Sequence, residues 1–248
     1  MKSVLSQLSL HGKINYYVAH LFKALTKQHH LEYLPFLKSV ISDDSIIIDV
    51  GAHAGQFTKL FSKIVPDGRV YAFEPGSYAS SILNKVIMVN RLNNVTQINK
   101  GLGESIKKES LIMQVKKSGS LGFGLSHLGD GNEDVKNTIS ETIDITTLDA
   151  FAEIEKLEKI NFIKADIEGW EMQLLCGAKS VIQKWHPILM LEVNRLFLTR
   201  AENTPEELWD FLIENGYEIF RLLYDGKNTL QTIPAPEPFD GNIICYPC

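Results

Sequence analysis

Glycine and acidic residues that could bind a ligand follow the short apolar segments of this 248-residue chain. After the segment Ile46–Val50, the run Gly51-Ala52-His53-Ala54-Gly55 has glycine at its first and fifth positions. Glycine permits a sharp turn and a close start of the next helix. Ligands of parallel sheets bind beyond the carboxyl ends of the strands, where such turns gather. The residues predicted to contact a ligand here are Asp49, Gly51, Ala52, His53 and Gly55.

An acidic residue, Glu74, follows the next apolar segment, Val70–Phe73. A carboxylate about 20 residues beyond a glycine turn can accept hydrogen bonds from both hydroxyls of a ribose, because its two oxygens match two neighbouring donors. The glycine turn and Glu74 together predict a nucleoside ligand.

The glycine pattern and the charge near the turn indicate which kind of nucleoside can bind there. The dinucleotide fingerprint Gly-x-Gly-x-x-Gly has His53 and Gln56 at its second and third glycine positions, so a pyrophosphate lacks its usual cradle. Asp49 adds negative charge, which repels a phosphate and attracts a cation. This favours S-adenosylmethionine, a nucleoside with a positive sulfonium and no phosphate, over the cofactor of a nucleotide-dependent oxidoreductase.

Three further carboxylates follow later apolar segments. Asp166 and Glu168 come after Phe162–Ala165, and Glu192 comes after Ile188–Leu191. Carboxylates that lie close together raise one another's pKa, which suits a general base. They could also gather a divalent cation such as Mg²⁺, or Glu168 could only start the following helix. We predict that Asp166, Glu168 and Glu192 act as a base or contact the substrate, and we predict no metal.

The apolar segments themselves predict the fold. They are short and continuous, which is typical of strands covered on both faces, and helical stretches lie between most of them. The pattern indicates an α/β protein with a doubly wound, mostly parallel sheet and helices on both faces. The third strand is predicted at Val95–Asn99, after Val70–Phe73. Two last strand candidates, Glu218–Leu223 and Asn242–Tyr246, are separated by a Pro-rich turn and bring the count to seven. Lys164 and Asp166 alternate onto the same side of the fourth strand, so we expect them to pair.

An N-terminal extension at residues 1–43 precedes the domain predicted at residues 44–248. Apolar residues between positions 14 and 25 recur at helical spacing, which predicts a helix that caps the domain. Its mixed polar face disfavours a membrane-surface helix. Tyr16, Tyr17 and Phe22 on this helix could form the face of a homodimer.

An insertion at residues 104–147 interrupts the alternation of strands and helices. It holds a strand-like segment, Ser110–Val115, and then five glycines between positions 119 and 131. A chain so rich in glycine loses much conformational freedom when it is held in one conformation. The glycine-rich part is interpreted either as a surface loop or as a lid over the substrate.

Composition excludes several classes of protein. With 44% hydrophobic and 22% charged residues, the chain is typical of globular proteins and not of disordered ones. Its net charge of −5 and its scattered basic residues argue against a nucleic-acid partner. Its three cysteines do not make a disulfide framework, and its apolar runs are too short to cross a bilayer. We expect a cytoplasmic protein without a transmembrane segment.

Five blocks, in order along the chain, resemble the FkbM-type S-adenosylmethionine-dependent methyltransferases. They are Asp49–Thr58, Val70–Pro75, Thr147–Asp149, Lys164–Glu171 with Leu175–Ala178, and His186–Glu192. The resemblance covers about residues 44–223. It implies a Rossmann-like class I methyltransferase fold and transfer of a methyl group to oxygen, such as a hydroxyl on a sugar, a glycan or a secondary metabolite.

The resemblance also implies a role for each part of the site. The glycine turn would line the methionine part of S-adenosylmethionine, the acid after the second strand would hold the ribose, and the turn after the third strand would lie near the adenine. These residues are Gly51, Ala52 and Gly55, then Glu74, then Gly101 and Leu102. Asp166 ends the fourth strand, where methyltransferase active sites are centred. A non-catalytic cofactor-binding domain of the same fold is the alternative to an enzyme.

Overall fold

Two β-sheets and their flanking helices make up the part of the chain that the computed structural model describes, residues 10–115, 121–128, 138–223, 229–236 and 240–248. The strands are β1 (Ile46–Val50), β2 (Arg69–Phe73), β3 (Val95–Ile98), β4 (Gly101–Leu102), β5 (Lys107–Val115), β6 (Leu121–Leu128), β7 (Thr138–Thr146), β8 (Phe162–Ala165), β9 (Ile188–Val193), β10 (Tyr217–Leu223), β11 (Thr229–Thr232) and β12 (Gly241–Pro247). The helices are α1 (Leu10–Thr26), α2 (Leu34–Val40), α3 (Gln56–Ile64), α4 (Ser77–Val89), α5 (Leu148–Ile154), α6 (Glu171–Cys176), α7 (Lys179–Trp185), α8 (Arg195–Arg200) and α9 (Pro205–Glu214).

The main sheet has eight strands in the order β11-β10-β12-β9-β8-β1-β2-β3. Strands β9, β8, β1, β2 and β3 are parallel, and β12, β10 and β11 join through antiparallel pairs. All seven predicted strands are present. The count of seven is nevertheless wrong by one, because Thr229–Thr232, in the segment predicted as a turn, pairs with β10 at the edge of the sheet.

Helices cover both faces of the main sheet, as the continuous apolar segments predicted. Within β1, Ile48 and Val50 belong to one core cluster and Ile47 belongs to the cluster on the opposite face. All three side chains are at most 1% exposed. Because a strand alternates its side chains between faces, only a strand that is covered on both sides needs apolar residues at successive positions.

The insertion forms a second sheet with the strand order β4-β7-β5-β6. The predicted strand at Ser110–Val115 is part of β5. The loop interpretation is wrong for Leu121–Leu128, which pairs antiparallel with β5 in spite of Gly122 and Gly124. The rest of the glycine-rich segment, at residues 116–120 and 129–137, lies outside the described residues.

The predicted N-terminal helix is α1, and it packs on α4. Leu21, Ala24 and Leu25 contact an apolar cluster around Ile82, and the Tyr17 hydroxyl lies 3.1 Å from Ser81 Oγ. The predicted apolar stripe includes Val18 and Phe22, but these side chains are 55% and 65% exposed. The face of α1 that packs on the domain is therefore narrower than predicted. Since Tyr17 packs inward, the proposed dimer face keeps only part of its residues. The homodimer and the domain boundary at residue 43 stay predictions.

A buried lysine fastens the end of α1 to the domain. Lys59 on α3 is 4% exposed, and its Nζ donates hydrogen bonds to the carbonyl oxygens of Ala24 (2.7 Å) and Lys27 (2.6 Å). Carbonyls at a helix C-terminus lack partners within the helix, and a cation there also suits the helix dipole. Among the helices of the described ranges, none is long and apolar enough to span a membrane.

Replacing Lys59 by Met should loosen α1, because Met keeps the chain length and removes the donor. We expect the free energy of unfolding in urea to fall by about 2–3 kcal/mol, since a hydrogen bond to a charged group contributes about 1.5–3 kcal/mol. Amide exchange in the last turn of α1 should also become faster. Lys63→Met, at an exposed position of the same helix, is the matched control. Equal stability of the two variants would contradict this role of Lys59.

Candidate active site

A cavity of about 300 Å³ lies at the carboxyl ends of β1, β2 and β8, where the strand order reverses. Its size falls within the range of about 300–1,000 Å³ that is typical of small-molecule sites. Most of the predicted site residues line it. They are Gly51, Ala52, His53, Glu74, Gly101, Leu102, Asp166 and Glu168.

Three predicted residues lie outside the cavity lining. Asp49 is fully buried beneath the glycine turn, where its Oδ2 accepts a hydrogen bond of 2.6 Å from Thr58 Oγ1. Gly55 caps α3 in a left-handed conformation with φ 78°. Glu192 stands behind Asp166, within hydrogen-bonding reach of its carboxylate. Each of the three instead contacts a residue of the lining: Asp49 contacts Lys164, Gly55 contacts Ala52, and Glu192 contacts Asp166.

The glycine turn is set by a close approach of two backbone segments. Gly51 has φ 73°, and a Cβ at this position would lie 2.0 Å from the carbonyl oxygen of Asp166. The amides of Gly51 and Ala52 both donate to the carbonyl oxygen of Phe73, each at 3.0 Å. The turn is thus fixed between the ends of β2 and β8, and only glycine fits at its first position.

Glu74 presents a buried carboxylate to the cavity. Its Oε2 accepts a hydrogen bond from the His53 amide and its Oε1 accepts one from the Gly76 amide, both at 2.9 Å. Burial raises the pKa of Glu74 to about 7, although these two amides partly oppose the shift. A carboxylate oxygen has more than one lone pair, so each oxygen can also accept a ligand hydroxyl.

Lys164 holds two carboxylates together beneath the cavity. Its Nζ lies 3.4 Å from Asp166 Oδ2 and 3.9 Å from Asp49 Oδ1, and its side chain is 2% exposed. Burial alone would lower the pKa of Lys164, but the negative charges of Asp166, Asp49 and Glu192 outweigh it and raise the pKa. The predicted pairing of Lys164 with Asp166 is confirmed.

Asp166 is the carboxylate that stays ionised at neutral pH. Burial opposes ionisation, but the Lys164 ammonium and a hydrogen bond from Glu192 hold the pKa of Asp166 below its usual range. Its side chain is nevertheless 41% exposed, so a ligand in the cavity can reach it. Asp166 therefore combines negative charge with access.

Glu168, in contrast to Asp166, is a carboxyl group that burial keeps protonated. It lies in a left-handed conformation with φ 56°, and its Oε2 is buried without a hydrogen-bond partner among the described residues. Burial, followed by the charges of Asp166 and Glu171, raises the pKa of Glu168 to about 8. At pH 7 this carboxyl group is mostly protonated and can donate a hydrogen bond into the cavity.

His53 turns its backbone and not its ring toward Glu74. The ring lies 5.7 Å from the ring of His20 on α1. Burial, and then the neighbouring His20, lower the pKa of His53 to about 4, so the ring is neutral at pH 7. Among the described residues, no group of three or more His, Cys, Asp or Glu side chains has the geometry of a metal site.

Several residues of the cavity wall escaped the sequence analysis. Leu111 and Met113 come from β5 of the second sheet, and His30 stacks on Phe57 with ring centroids 4.5 Å apart. Leu111 and Met113 are two residues apart in the predicted strand, so the sequence indicates that they share a face, but it does not indicate that this face lines the cavity. The insertion thus reaches the cavity, as a lid requires; its closure stays a prediction.

Replacing Glu168 by Gln should stabilise the protein at alkaline pH. The pKa of Glu168 is about 8 in the folded protein, above its value in the unfolded chain. Glu168 therefore contributes fully to the stability of the fold only at a pH below its unfolded pKa, and this contribution is lost as the pH rises through about 8. Glutamine does not ionise, so the melting temperature of Glu168→Gln should exceed that of the wild type at pH 9 by about 2–4 °C, the shift typical of 1 kcal/mol in a chain of this size. The two proteins should melt alike at pH 5. Glu214→Gln, at an exposed position, serves as control; a gain independent of pH would refute the interpretation.

Comparisons with known proteins agree with this architecture. The profile of the Methyltransferase FkbM domain matches residues 49–219, more than half of the chain. Methyltransferase 1 of Beauveria bassiana (strain ARSEF 2860) is 27% identical over 146 residues, which cover 54% of this chain and 59% of that protein. The match therefore spans well under two thirds of the length of that relative.

One solved structure supports the same fold. Methyltransferase FkbM from Methylobacillus flagellatus KT has a TM-score of 0.51 and 19% identity, over 98% of this chain and 57% of that chain. Precorrin-6y C5,15-methyltransferase from Geobacter metallireducens GS-15 has a TM-score of 0.46 and 13% identity, over 90% of each chain. The profile match, together with the Rossmann-like fold, shows that the chain belongs to the FkbM methyltransferase domain family.

Proposed function

We propose that this chain transfers a methyl group from S-adenosylmethionine to a hydroxyl oxygen of a sugar, a glycan or a secondary metabolite. One observation carries the proposal. Glu74 and Asp166 follow β2 and β8, the two neighbours of β1, and both line the cavity around the glycine turn. Adjacent strands are about 4.8 Å apart, so the two carboxylates stand on strands about 10 Å apart.

The residues of the cavity fit S-adenosylmethionine. Glu74 has free acceptor positions for the ribose hydroxyls, and the walls carry the ionised carboxylate of Asp166 and the protonated carboxyl group of Glu168 near the glycine turn. When bound, S-adenosylmethionine supplies an electrophilic methyl group on a positively charged sulfur. Ionised Asp166 would favour that charge by Coulomb attraction. The Gly51 turn itself lines the cavity, where a ligand can contact it.

Asp166 is the residue that we propose as general base. A hydroxyl is a weak nucleophile until its proton leaves, and a carboxylate within hydrogen-bonding reach can accept that proton. Glu168 and Glu192 are poorly suited, because burial keeps their pKa values well above the usual range and they hold protons at pH 7. Asp166 accepts the hydroxyl proton, while protonated Glu168 can orient the acceptor by donating a hydrogen bond.

Replacing Glu74 by Gln should weaken binding of S-adenosylmethionine, measured by calorimetry. The loss of charged hydrogen bonds, about 1.5–3 kcal/mol each, should lower the affinity about 10- to 100-fold. Ribose hydroxyls prefer the ionised carboxylate, so the affinity of the wild type should rise as the pH passes upward through about 7. Glu74→Gln should lose this pH dependence, and the exposed-site control Glu104→Gln should keep it. Binding of NAD instead of S-adenosylmethionine would contradict the proposal.

Replacing Asp166 by Asn should separate chemistry from binding. With labelled S-adenosylmethionine and a panel of sugars and hydroxylated metabolites, we expect kcat to fall about 10²- to 10⁴-fold, the usual effect of losing a general base. The affinity for S-adenosylmethionine should fall much less, by at most about tenfold, because only the Coulomb attraction between Asp166 and the sulfonium is lost. Asp210→Asn, at an exposed position of α9, is the control. Normal turnover by Asp166→Asn would end the assignment of the base, and binding without turnover by the wild type on any acceptor would favour a non-catalytic domain.

A further inference from the structure

Two carboxyl groups meet side by side at the ends of β8 and β9. The strands are parallel and pair Ala165 with Leu191, which places Asp166 and Glu192 at the next position of each chain. The two carboxyl groups lie within hydrogen-bonding reach of each other. An ionised carboxylate only accepts hydrogen bonds, so this contact needs one proton between the two groups.

The surroundings decide which group holds that proton. The buried ammonium of Lys164 contacts Asp166 Oδ2 at 3.4 Å and so favours a negative charge on Asp166. Glu192 also interacts with the Lys164 ammonium, but burial and the charges of Asp166, Glu168 and Glu171 disfavour its ionisation. Its partner across the next pair of strands, Asn242, is neutral, and the amide of Asn242 donates to the hydroxyl of Tyr33.

We propose that Glu192 is a positioning residue, whose protonated carboxyl group donates a hydrogen bond to Asp166 and holds Asp166 as the ionised carboxylate in the cavity. The proposal rests on the proposed role of Asp166 as base. In this proposal Asp166, which lines the cavity, contacts the substrate, and Glu192, which does not line the cavity, acts only through Asp166. Burial and the neighbouring acids raise the pKa of Glu192, which agrees with this arrangement.

The hydrogen bond also has a consequence for charge. When Glu192 is protonated, Asp166 forms an ion pair with Lys164, whose ammonium also lies 3.9 Å from Asp49 Oδ1. If Glu192 lost its proton, two ionised carboxylates would repel each other at hydrogen-bonding distance, and Asp166 would turn away or take up a proton. The protonated state of Glu192 therefore keeps the base both charged and oriented.

The proton on Glu192 can be observed without an acceptor. In the full-length protein labelled with ¹³C at the glutamate side-chain carboxyls, we expect one resonance to titrate well above neutral pH and to be absent from Glu192→Gln. In Asp166→Asn the same resonance should titrate at least about 1 pH unit lower, because the neighbouring negative charge is gone. Glu218→Gln, at an exposed strand position, should leave the resonance unchanged.

Two results would overturn the proposal. The first is a Glu192 resonance that titrates in the usual range of glutamate. The second, from protein labelled at the aspartate carboxyls, is an Asp166 that holds the proton at pH 7. Glutamine can donate the same hydrogen bond, so Glu192→Gln should fold and melt like the wild type. If that variant does not fold, the titration in Asp166→Asn still tests the proposal, because a resonance that does not shift to lower pH there would contradict it. Failure of the proposed function is distinguishable, because it would appear as absence of S-adenosylmethionine binding by the wild type.

Discussion

The buried ammonium of Lys164 is the interaction on which the rest of the site depends. A charge removed from water is strongly unfavourable unless partners compensate it, and the side chain of Lys164 is 2% exposed. Asp49 and Asp166 supply the compensation from β1 and from the loop after β8. Because Asp49 is itself completely buried and burial raises its pKa, the nearby ammonium of Lys164 is what favours its ionised form in the core. The ion pairs thus fix the two strand ends between which the ligand cavity lies.

Backbone conformation adds to this electrostatic arrangement. His53 and Glu168 both adopt positive φ, at 49° and 56°. Such conformations cost of order 1–3 kcal/mol for residues other than glycine and persist only where the surrounding structure holds them. The His53 amide is held by Glu74, and the loop around Glu168 is held where Gly169 lies against the carbonyl oxygen of Phe197. The strained backbone at His53 directs its amide toward Glu74, and the strained backbone at Glu168 places its carboxyl group at the other end of the cavity.

The sequence predicted the central strands well, because a strand covered on both faces needs an uninterrupted apolar segment. The end of such a strand also marks where a ligand-facing residue must follow, so Glu74 and Asp166 were found from their positions alone. Sequence could not show that Asp49 turns away from the cavity, since its orientation depends on the contact with Thr58 Oγ1. It also could not foresee the strand β6, because the pairing of a glycine-rich segment is decided by its partner β5 and not by its own propensity.

Among the strands in the described ranges, the second sheet shares none with the main sheet, although Leu111 and Met113 from β5 form part of the cavity wall. Those two side chains can change in size without altering a hydrogen bond of the parallel strands. The bend at Gly51 and the ion pairs beneath it stay the same through such a change. Members of one family can in this way differ in the molecules they accept while they keep the same proposed site for the methyl donor.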